Sequence, residues 1–172
     1  MKKIRLILFL LLSSCVSIPD DITPVTPFVA DKYLGKWYEI ARLDNSFERG
    51  LSQITADYSL GTDGEIKVIN RGYAIAEKEW QQADGKAYFV EKSDVGYLKV
   101  SFFGPFYSAY IVVLLDENYQ YALVTSSSKS YLWILARQPK LSAAVQDKLI
   151  KKAAELGFET DQLIYVSHHP ET

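Results

Sequence analysis

The chain has 172 residues, of which 48% are apolar and 13% aromatic. This composition can build a hydrophobic core and therefore excludes an intrinsically disordered protein. A single Cys excludes an intrachain disulfide, so the stability of the fold must come from its core.

The first fifteen residues predict a secretory signal that ends in a lipid-modified cysteine. Three basic side chains lie within residues 2–5, and the apolar run 4–12 has signal-peptide length, too short for a transmembrane helix. Residues 12–15, Leu-Ser-Ser-Cys, resemble the lipobox of bacterial lipoproteins, which implies a signal peptide of residues 1–14 and acylation of Cys15. The alternative is an ordinary signal peptide that happens to precede a cysteine.

Acylation of Cys15 predicts where the mature protein lies. In Gram-negative lipoproteins, Asp directly after the acylated Cys favours the inner membrane, so Val16 predicts an outer-membrane lipoprotein on the periplasmic face. Acyl chains hold a protein at a bilayer without a transmembrane helix.

Removal of residues 1–14 leaves 16 basic and 21 acidic side chains, a formal charge of −5. This acidic body argues against nucleic acid as a partner.

Residues 15–30 are predicted to be the lipidated N-terminus and a flexible, extended linker. Pro19, Pro24 and Pro27 interrupt the segment, which also contains two aspartates. Such a composition predicts a chain that does not pack into a core. The folded domain is therefore expected to span residues 31–172.

Residues 35–42, Gly-Lys-Trp-Tyr-Glu-Ile-Ala-Arg, predict the first strand. Alternation along a strand places Trp37, Glu39 and Ala41 on one face. Gly35 removes a Cβ where the chain bends sharply or passes close to another segment. On the strand pattern alone, the Trp fits equally well into the core of a β-sandwich.

Further strand-like segments follow at short intervals, separated by turn sequences rich in Gly, Asp, Asn and Ser. Short connections predict an antiparallel up-and-down order, and eight strands closed into a barrel leave room for one small ligand. The eight segments are residues 37–43, 54–60, 65–73, 79–90, 97–103, 109–115, 121–126 and 131–138.

After Pro139 the pattern changes from strand to helix. Ser142 is a suitable N-cap, and Gly157 fits the position just after the last helical turn. Residues 164–166 predict a final short strand. The predicted fold is therefore mainly β, an eight-stranded antiparallel up-and-down barrel with one C-terminal α-helix packed outside.

Two segments resemble the lipocalin family. Residues 35–42 resemble the glycine-x-tryptophan motif that opens the first barrel strand of lipocalins, and residues 131–137 resemble the last strand, whose arginine lies across that tryptophan. The resemblance implies that Arg137 stacks on Trp37 and that both, with Gly35, close the barrel floor.

Other segments resemble the bacterial lipocalin lipoproteins, relatives of apolipoprotein D, more narrowly. They are residues 47–50 and 100–107, while residues 116–118, Asp-Glu-Asn, depart from the family's middle motif, threonine-aspartate-tyrosine. The stretch 47–51 begins with Phe47, and the stretch 102–107 is rich in aromatic side chains. They are expected to contact a membrane or ligand tails, or else to pack locally.

The resemblance implies a carrier that binds fatty acids or lysophospholipids for the storage, transport or repair of envelope lipids. Alternation along the strands places mostly apolar side chains in the cavity, as a lipid site requires, unless the same side chains simply fill the barrel. The predicted ligand-binding residues are Glu39, Ala41, Ile54, Ala56, Tyr58, Val68, Asn70, Ala87, Phe89, Leu98, Val100, Phe102, Tyr131, Trp133 and Leu135.

Glu39 is the unusual member of this set. It faces inward if Trp37 does, and a buried carboxylate must be paired, hydrogen-bonded or protonated. Glu39 therefore either fixes the polar head of a ligand or forms a structural pair with a neighbouring Tyr or Arg. Asn70 has the same two alternatives.

No glycine-flanked nucleophilic Ser, Gly-rich phosphate loop or metal-ligand spacing appears, so no enzymatic activity, cofactor or metal is predicted. His168 and His169 are expected to be solvated. Three hypotheses remain, in this order: a lipid carrier, a structural envelope protein with a filled barrel, and a lipid-modifying enzyme. The sequence leaves open whether two barrels form a homodimer.

Overall fold

A computed structural model describes residues 16–168. The predicted signal peptide, Cys15 and His169 lie outside these described residues. Within them, no helix has both the length and the apolar character needed to cross a membrane.

Eight antiparallel strands form a closed barrel in which each strand pairs with the next one in the sequence. The first strand also pairs with the eighth and closes the barrel. This arrangement confirms the predicted up-and-down barrel. The strands are β1 (Gly35–Arg42), β2 (Leu51–Leu60), β3 (Ile66–Ala74), β4 (Glu79–Phe89), β5 (Tyr97–Phe103), β6 (Phe106–Leu115), β7 (Tyr121–Thr125) and β8 (Leu132–Ala136).

Short elements flank the barrel on both sides in the sequence: α1 (Ala30–Tyr33) before it, then α2 (Ala143–Glu155), a 3-10 turn (Thr160–Gln162) and β9 (Ile164–Tyr165) after it. The Ser142 hydroxyl accepts a hydrogen bond from the Val145 amide at 3.4 Å, and Gly157 follows α2 with φ +79. These are the cap residues that the sequence predicts for the C-terminal helix.

Two hydrophobic clusters lie on opposite faces of the barrel wall. The outer cluster lies between the wall and α2, where Leu149 and Ala153 are fully buried with Ile111 and Ile134. Burying each such Leu or Ile side chain contributes about 1.5–3 kcal/mol. The inner cluster fills the lower part of the barrel around Trp37.

An extra residue in β1 changes which side chains face inward. Glu39 pairs with Leu135 and Ala41 pairs with Ile134, so Ile40 is the additional residue of a β-bulge. Ala41 consequently belongs to the outer cluster. The prediction that Ala41 lines the cavity is therefore wrong, because strict alternation holds only as far as Glu39.

Much of the segment predicted to be a flexible linker is packed against the barrel. Ile22 and Phe28 are buried, and the Val25 amide donates a hydrogen bond to the Val112 carbonyl at 2.8 Å. The prediction that residues 16–30 cannot pack is wrong for this part of the segment. Proline fixes φ and reduces the entropy lost on ordering, so the apolar side chains between the prolines can pack at lower cost.

The two ends of the barrel differ. At one end, here called the floor, β1 begins, the Tyr33 ring packs against the Trp37 ring with centroids 4.7 Å apart, and Phe28 packs against Tyr33. The other end, here called the rim, is formed by the connections that follow β1, β3, β5 and β7, residues 43–50, 75–78, 104–105 and 126–131. Any ligand that enters the barrel along its axis must pass the rim.

Candidate ligand cavity

Trp37 and Arg137 seal the floor. The Trp37 side chain has no solvent exposure, and its Nε1 donates to the Tyr33 carbonyl at 2.8 Å. The Arg137 guanidinium carbon lies 4.0 Å from the centroid of the Trp37 ring, within cation–π distance. Its three nitrogens donate to the carbonyls of Lys32, Lys36 and Tyr119 at 2.8–3.2 Å.

Gly35 lets β1 begin beside this arginine. Its φ is +90, a backbone conformation that side chains with a Cβ rarely adopt. A Cβ at this position would lie 3.5 Å from Arg137 Nη1, which is ordinary contact. The backbone conformation, and not a lack of space, therefore requires glycine here.

A layer of three tyrosines lies above the floor. The Tyr110 hydroxyl is 2.7 Å from the Tyr33 hydroxyl and 3.0 Å from the Tyr58 hydroxyl. Burial raises the pKa of Tyr58 to about 12 and raises the pKa of Tyr33 and Tyr110 well above 10. These neutral, hydrogen-bonded rings make the lower half of the barrel a packed core.

Small residues line one side of the barrel interior. Ala56, Asn70 and Ala83 lie side by side on β2, β3 and β4, on the same inward face as the buried Val68 and Ala87, and Ala56 also pairs with Trp37 of β1. Ala56 and Asn70 are only half-buried, and Ala83 is exposed although it faces inward. The interior on this side is therefore open to solvent above the packed floor.

The amide oxygen of Asn70 has no hydrogen-bond partner among the described residues. Its Oδ1 is buried and accepts no hydrogen bond from the described residues. A buried acceptor of this kind costs about 1–3 kcal/mol unless water or a ligand satisfies it. Asn70 therefore carries a hydrogen-bond acceptor on the inner wall that the described residues leave unsatisfied.

An ion pair and a second carboxylate lie between this interior and the rim. Arg42 Nη1 donates to Glu39 Oε1 at 2.9 Å, and Arg42 Nη2 donates to the Glu48 carbonyl at 2.8 Å. The Glu48 carboxylate accepts from Trp133 Nε1 at 2.9 Å and from Asn45 Nδ2 at 2.6 Å. Burial, reinforced by the charge of Glu48, raises the pKa of Glu39 well above 4.5.

Most of the residues predicted to bind ligand lie in or beside the inner cluster. Tyr58, Val68, Ala87, Leu98 and Leu135 are buried members, and Ala56, Phe89, Val100, Phe102 and Trp133 are half-buried beside them. Tyr131 stacks on Trp133 with ring centroids 5.9 Å apart. Ile54 is buried next to Gly72. Contact of these residues with ligand stays a prediction.

Several inward-facing residues are absent from the predicted set. Val112, Ala122 and Val124 belong to the inner cluster and follow from alternation along the predicted strands 109–115 and 121–126. Tyr33 precedes the barrel, and Arg42 faces inward only because of the bulge. Of these five residues, only the three on strands could be predicted from the alternation of inward and outward side chains.

His168 is not solvated as predicted. Its Nε2 lies 2.7 Å from the Glu39 carbonyl, and its ring meets the Tyr38 ring edge-on with centroids 5.2 Å apart. The Val166 amide likewise donates to the Ile40 carbonyl. The C-terminal strand β9 thus covers the outer side of the β1 bulge, because the extra residue frees backbone groups there.

Near the rim, a groove of about 570 Å³ lies between the connection after β1 and the connection after β3. Its apolar lining includes Phe47, Leu51 and Ile75. Apolar side chains are therefore present at the entrance to the barrel, in addition to those of the inner cluster.

Comparison with known proteins agrees with this architecture. The lipocalin-like domain family matches residues 29–168. The outer membrane lipoprotein Blc of Vibrio cholerae is 54% identical over 168 residues, covering 96% of this chain and 98% of the relative. The protein of the same name from Escherichia coli K12 is 49% identical over 148 residues, covering 86% and 84%.

More distant proteins share the fold. Apolipoprotein D of Bos taurus is 39% identical over 121 residues, covering 66% of this chain and 63% of the relative. The solved structure of insecticyanin from the tobacco hornworm Manduca sexta superposes with a TM-score of 0.72 at 19% identity, covering 90% of this chain and 87% of that one. On the family match and the bacterial relatives, this chain belongs to the lipocalin family.

Proposed function

We propose that this protein is a lipid-anchored carrier that binds a fatty acid or a lysophospholipid in the upper half of its barrel. The observation that carries the proposal is the change in burial along the inner wall. Val68 and Ala87 are buried near the floor, whereas Asn70, next inward on β3, is half-buried and Ala83, nearer the rim on β4, is exposed. An apolar cavity that is closed below and open above suits one acyl chain.

The polar groups of the interior support an amphipathic ligand. A hydrocarbon brings no donor, but the glycerol hydroxyl of a lysophospholipid or the protonated carboxyl of a fatty acid can donate to the Asn70 amide oxygen. The side chains of Val100, Phe102 and Trp133 supply apolar and aromatic surface for the tail.

The envelope location is part of the same proposal. The Vibrio cholerae and Escherichia coli relatives are named outer membrane lipoproteins. Cys15 follows a lipobox-like sequence, and Val16 fits the outer-membrane sorting pattern. We propose that the anchored carrier serves envelope lipid storage, transport or repair as a binding protein without catalytic activity.

A filled barrel is the second candidate, and the tyrosine layer favours it. Tyr33, Tyr58 and Tyr110 occupy the lower interior, and Phe28 covers the floor from below. If the upper half also closes around its own side chains in solution, the protein is a structural envelope component and binds no lipid.

Native mass spectrometry with lipid extraction distinguishes the two candidates. The chain from Val16 onward contains every strand and both hydrophobic clusters, so it retains the folding core. Purified from cells, it is expected to carry one acyl lipid per protein and to rebind one after delipidation. A protein that is isolated empty and takes up neither fatty acid nor lysophospholipid contradicts the carrier proposal.

A further inference from the structure

The rim carries apolar side chains that are largely exposed to solvent. Phe47 is 71% exposed, Ile75 47%, Phe103 73% and Phe106 75%. Phe47 and Ile75 lie in the connections after β1 and β3, and the other two flank the connection after β5. Exposed apolar side chains thus lie at three separate connections around the entrance to the barrel.

The floor does not share this composition. Its connections, residues 61–65, 90–96 and 116–120, contain no Phe or Trp. Exposed apolar side chains at this end include Leu60 and Val90. The large aromatic surface therefore belongs to one end of the barrel, and clustered exposure of this kind marks an interaction site.

Amphipathic aromatic side chains lie on the strands next to these connections. Trp80 is 58% exposed near the start of β4, and its ring packs edge-on against Tyr73. Tyr107 directly follows Phe106, and Lys99 Nζ lies 5.1 Å from the Tyr107 ring centroid. Trp and Tyr favour the boundary between acyl chains and water, and Lys can extend its ammonium group towards lipid headgroups.

The rim is electrically balanced, although the body is acidic. Its four connections contain three acidic and three basic residues, a formal charge of zero. They are Asp44, Glu48, Glu77, Arg49, Lys78 and Lys129. Approach to a membrane is therefore not opposed by the rim's own charge, and attraction comes from apolar surface and not from anionic lipid.

The N-terminal segment holds the predicted anchor close to the barrel. Asp21 forms an ion pair with Lys129 of the connection after β7. The predicted acylation site Cys15 directly precedes Val16, which packs against the outer cluster and whose carbonyl accepts a hydrogen bond from the Tyr97 hydroxyl. A membrane anchored through Cys15 is thus a closer neighbour than a second copy of the chain.

From these observations we infer that the rim docks on a lipid bilayer, with Phe47, Ile75, Phe103 and Phe106 in its apolar layer. These four apolar side chains surround the open end of the barrel. Fluid acyl chains can fill the space between the side chains better than a rigid protein surface can. In the docked protein the open end of the barrel faces the membrane. The inference goes beyond the carrier function, because it concerns the surface that meets lipid and not the ligand inside.

Vesicle flotation with the chain from Val16 onward tests the inference. The variant Phe47→Ser/Phe103→Ser/Phe106→Ser is compared with the control Val29→Ser/Leu60→Ser/Val90→Ser, which removes exposed apolar side chains at the floor. We expect the rim variant to bind phosphatidylcholine vesicles at least about tenfold more weakly than the parent chain, and the control to bind within about twofold of it. Adding phosphatidylglycerol is expected to change the binding little.

A fluorescent label locates the docked end. The chain from Val16 onward has no Cys, so Phe106→Cys and Leu60→Cys each give one thiol for an environment-sensitive dye. The dye at position 106 is expected to shift to shorter wavelength with vesicles, and the dye at position 60 is expected to stay in water. Equal shifts at both positions, or no vesicle binding by the parent chain, overturns the inference.

Two further measurements distinguish membrane docking from dimer formation and from loss of the lipid cavity. If sedimentation shows a dimer that the rim variant converts to monomer, and the parent does not float with vesicles, the rim joins two copies and membrane docking is wrong. Native mass spectrometry of the rim variant reports the carrier function separately. A variant that still takes up lysophospholipid from solution but no longer floats shows that docking alone was lost.

Discussion

Glu39 and Arg42 form an ion pair inside the barrel because one extra residue in β1 brings Arg42 onto the inner face that Glu39 already shares with Trp37. The two are three residues apart, a spacing that places side chains on opposite faces of a regular strand. The bulge at Ile40 removes that restriction. Of the two sequence-based alternatives for Glu39, the structural pair with an Arg is present, and contact with a ligand head stays a prediction.

The raised pKa of Glu39 predicts a pH-dependent stability. The folded protein holds this proton to a higher pH than the unfolded chain, whose carboxyl has the ordinary value of 4.5. As pH rises above 4.5, the unfolded chain binds fewer protons than the folded one, so stability falls until the folded pKa is passed. Glu39→Gln removes this titration while its amide oxygen still accepts from Arg42.

We therefore expect the stability of Glu39→Gln relative to the parent to increase with pH, by about 1.4 kcal/mol for each unit of pKa shift. Urea unfolding at a series of pH values measures the difference. Glu155→Gln, which alters an exposed pair with Lys152, is the control and should show no such trend. If the stability of Glu39→Gln relative to the parent does not change with pH, the result contradicts a raised pKa of Glu39.

Arg137→Met is expected to destabilise the floor by about 3 kcal/mol. The substitution keeps an unbranched apolar chain but removes the contact with Trp37 and the donors to three carbonyls. Arg71→Met is the matched control, since Arg71 is 44% exposed and its pair with Asp57 spans 3.8 Å. Equal losses for the two variants in denaturant unfolding would show that Arg137 has no special role.

Tyr110→Phe tests the tyrosine layer. It deletes the hydroxyl that bridges Tyr33 and Tyr58 and leaves both of those buried groups without this partner. The expected loss of stability is about 1–3 kcal/mol, measured by thermal or urea unfolding. Tyr165→Phe removes an exposed hydroxyl and should cost less than about 0.5 kcal/mol. A loss no greater than that of the control would argue against the hydrogen-bonded layer.

Phe28→Ala measures whether the N-terminal segment belongs to the fold. Phe28 is 3% exposed and packs beneath the floor, so its truncation is expected to cost about 3–5 kcal/mol. The adjacent Val29 is 43% exposed, and Val29→Ala should change stability by less than about 0.5 kcal/mol. Unfolding curves that coincide for both variants would mean that residue 28 is part of a free linker.

The strands and the helix could be predicted because their patterns are local. Turn sequences separate eight strand-like segments, and Ser142 and Gly157 delimit α2 much as the caps predict. The resemblance of two segments to lipocalin motifs also implies the contact between Arg137 and Trp37, which lie 100 positions apart in the sequence.

The remaining differences arise where tertiary contacts override the local pattern. No composition rule indicates that Phe28 packs against Tyr33 and Tyr119 at the floor, because the prolines around it are typical of linkers and of ordered loops alike. The bulge in β1 depends on its pairing with β8 and β9, which lie far away in the sequence. The error at Ala41 follows directly from that pairing.

The central claim is that lipid binds in the upper half of the barrel, and filling that space tests it most directly. Ala83 faces inward on β4 and is exposed, so Ala83→Phe should occupy the cavity without disturbing the packed floor. Gln82→Phe places the same ring on the outer face of the same strand and is the control. A calorimetric titration with lysophospholipid is expected to show affinity at least about tenfold weaker for Ala83→Phe and unchanged for Gln82→Phe. Binding by Ala83→Phe that equals the parent would contradict the claim that the lipid occupies the barrel.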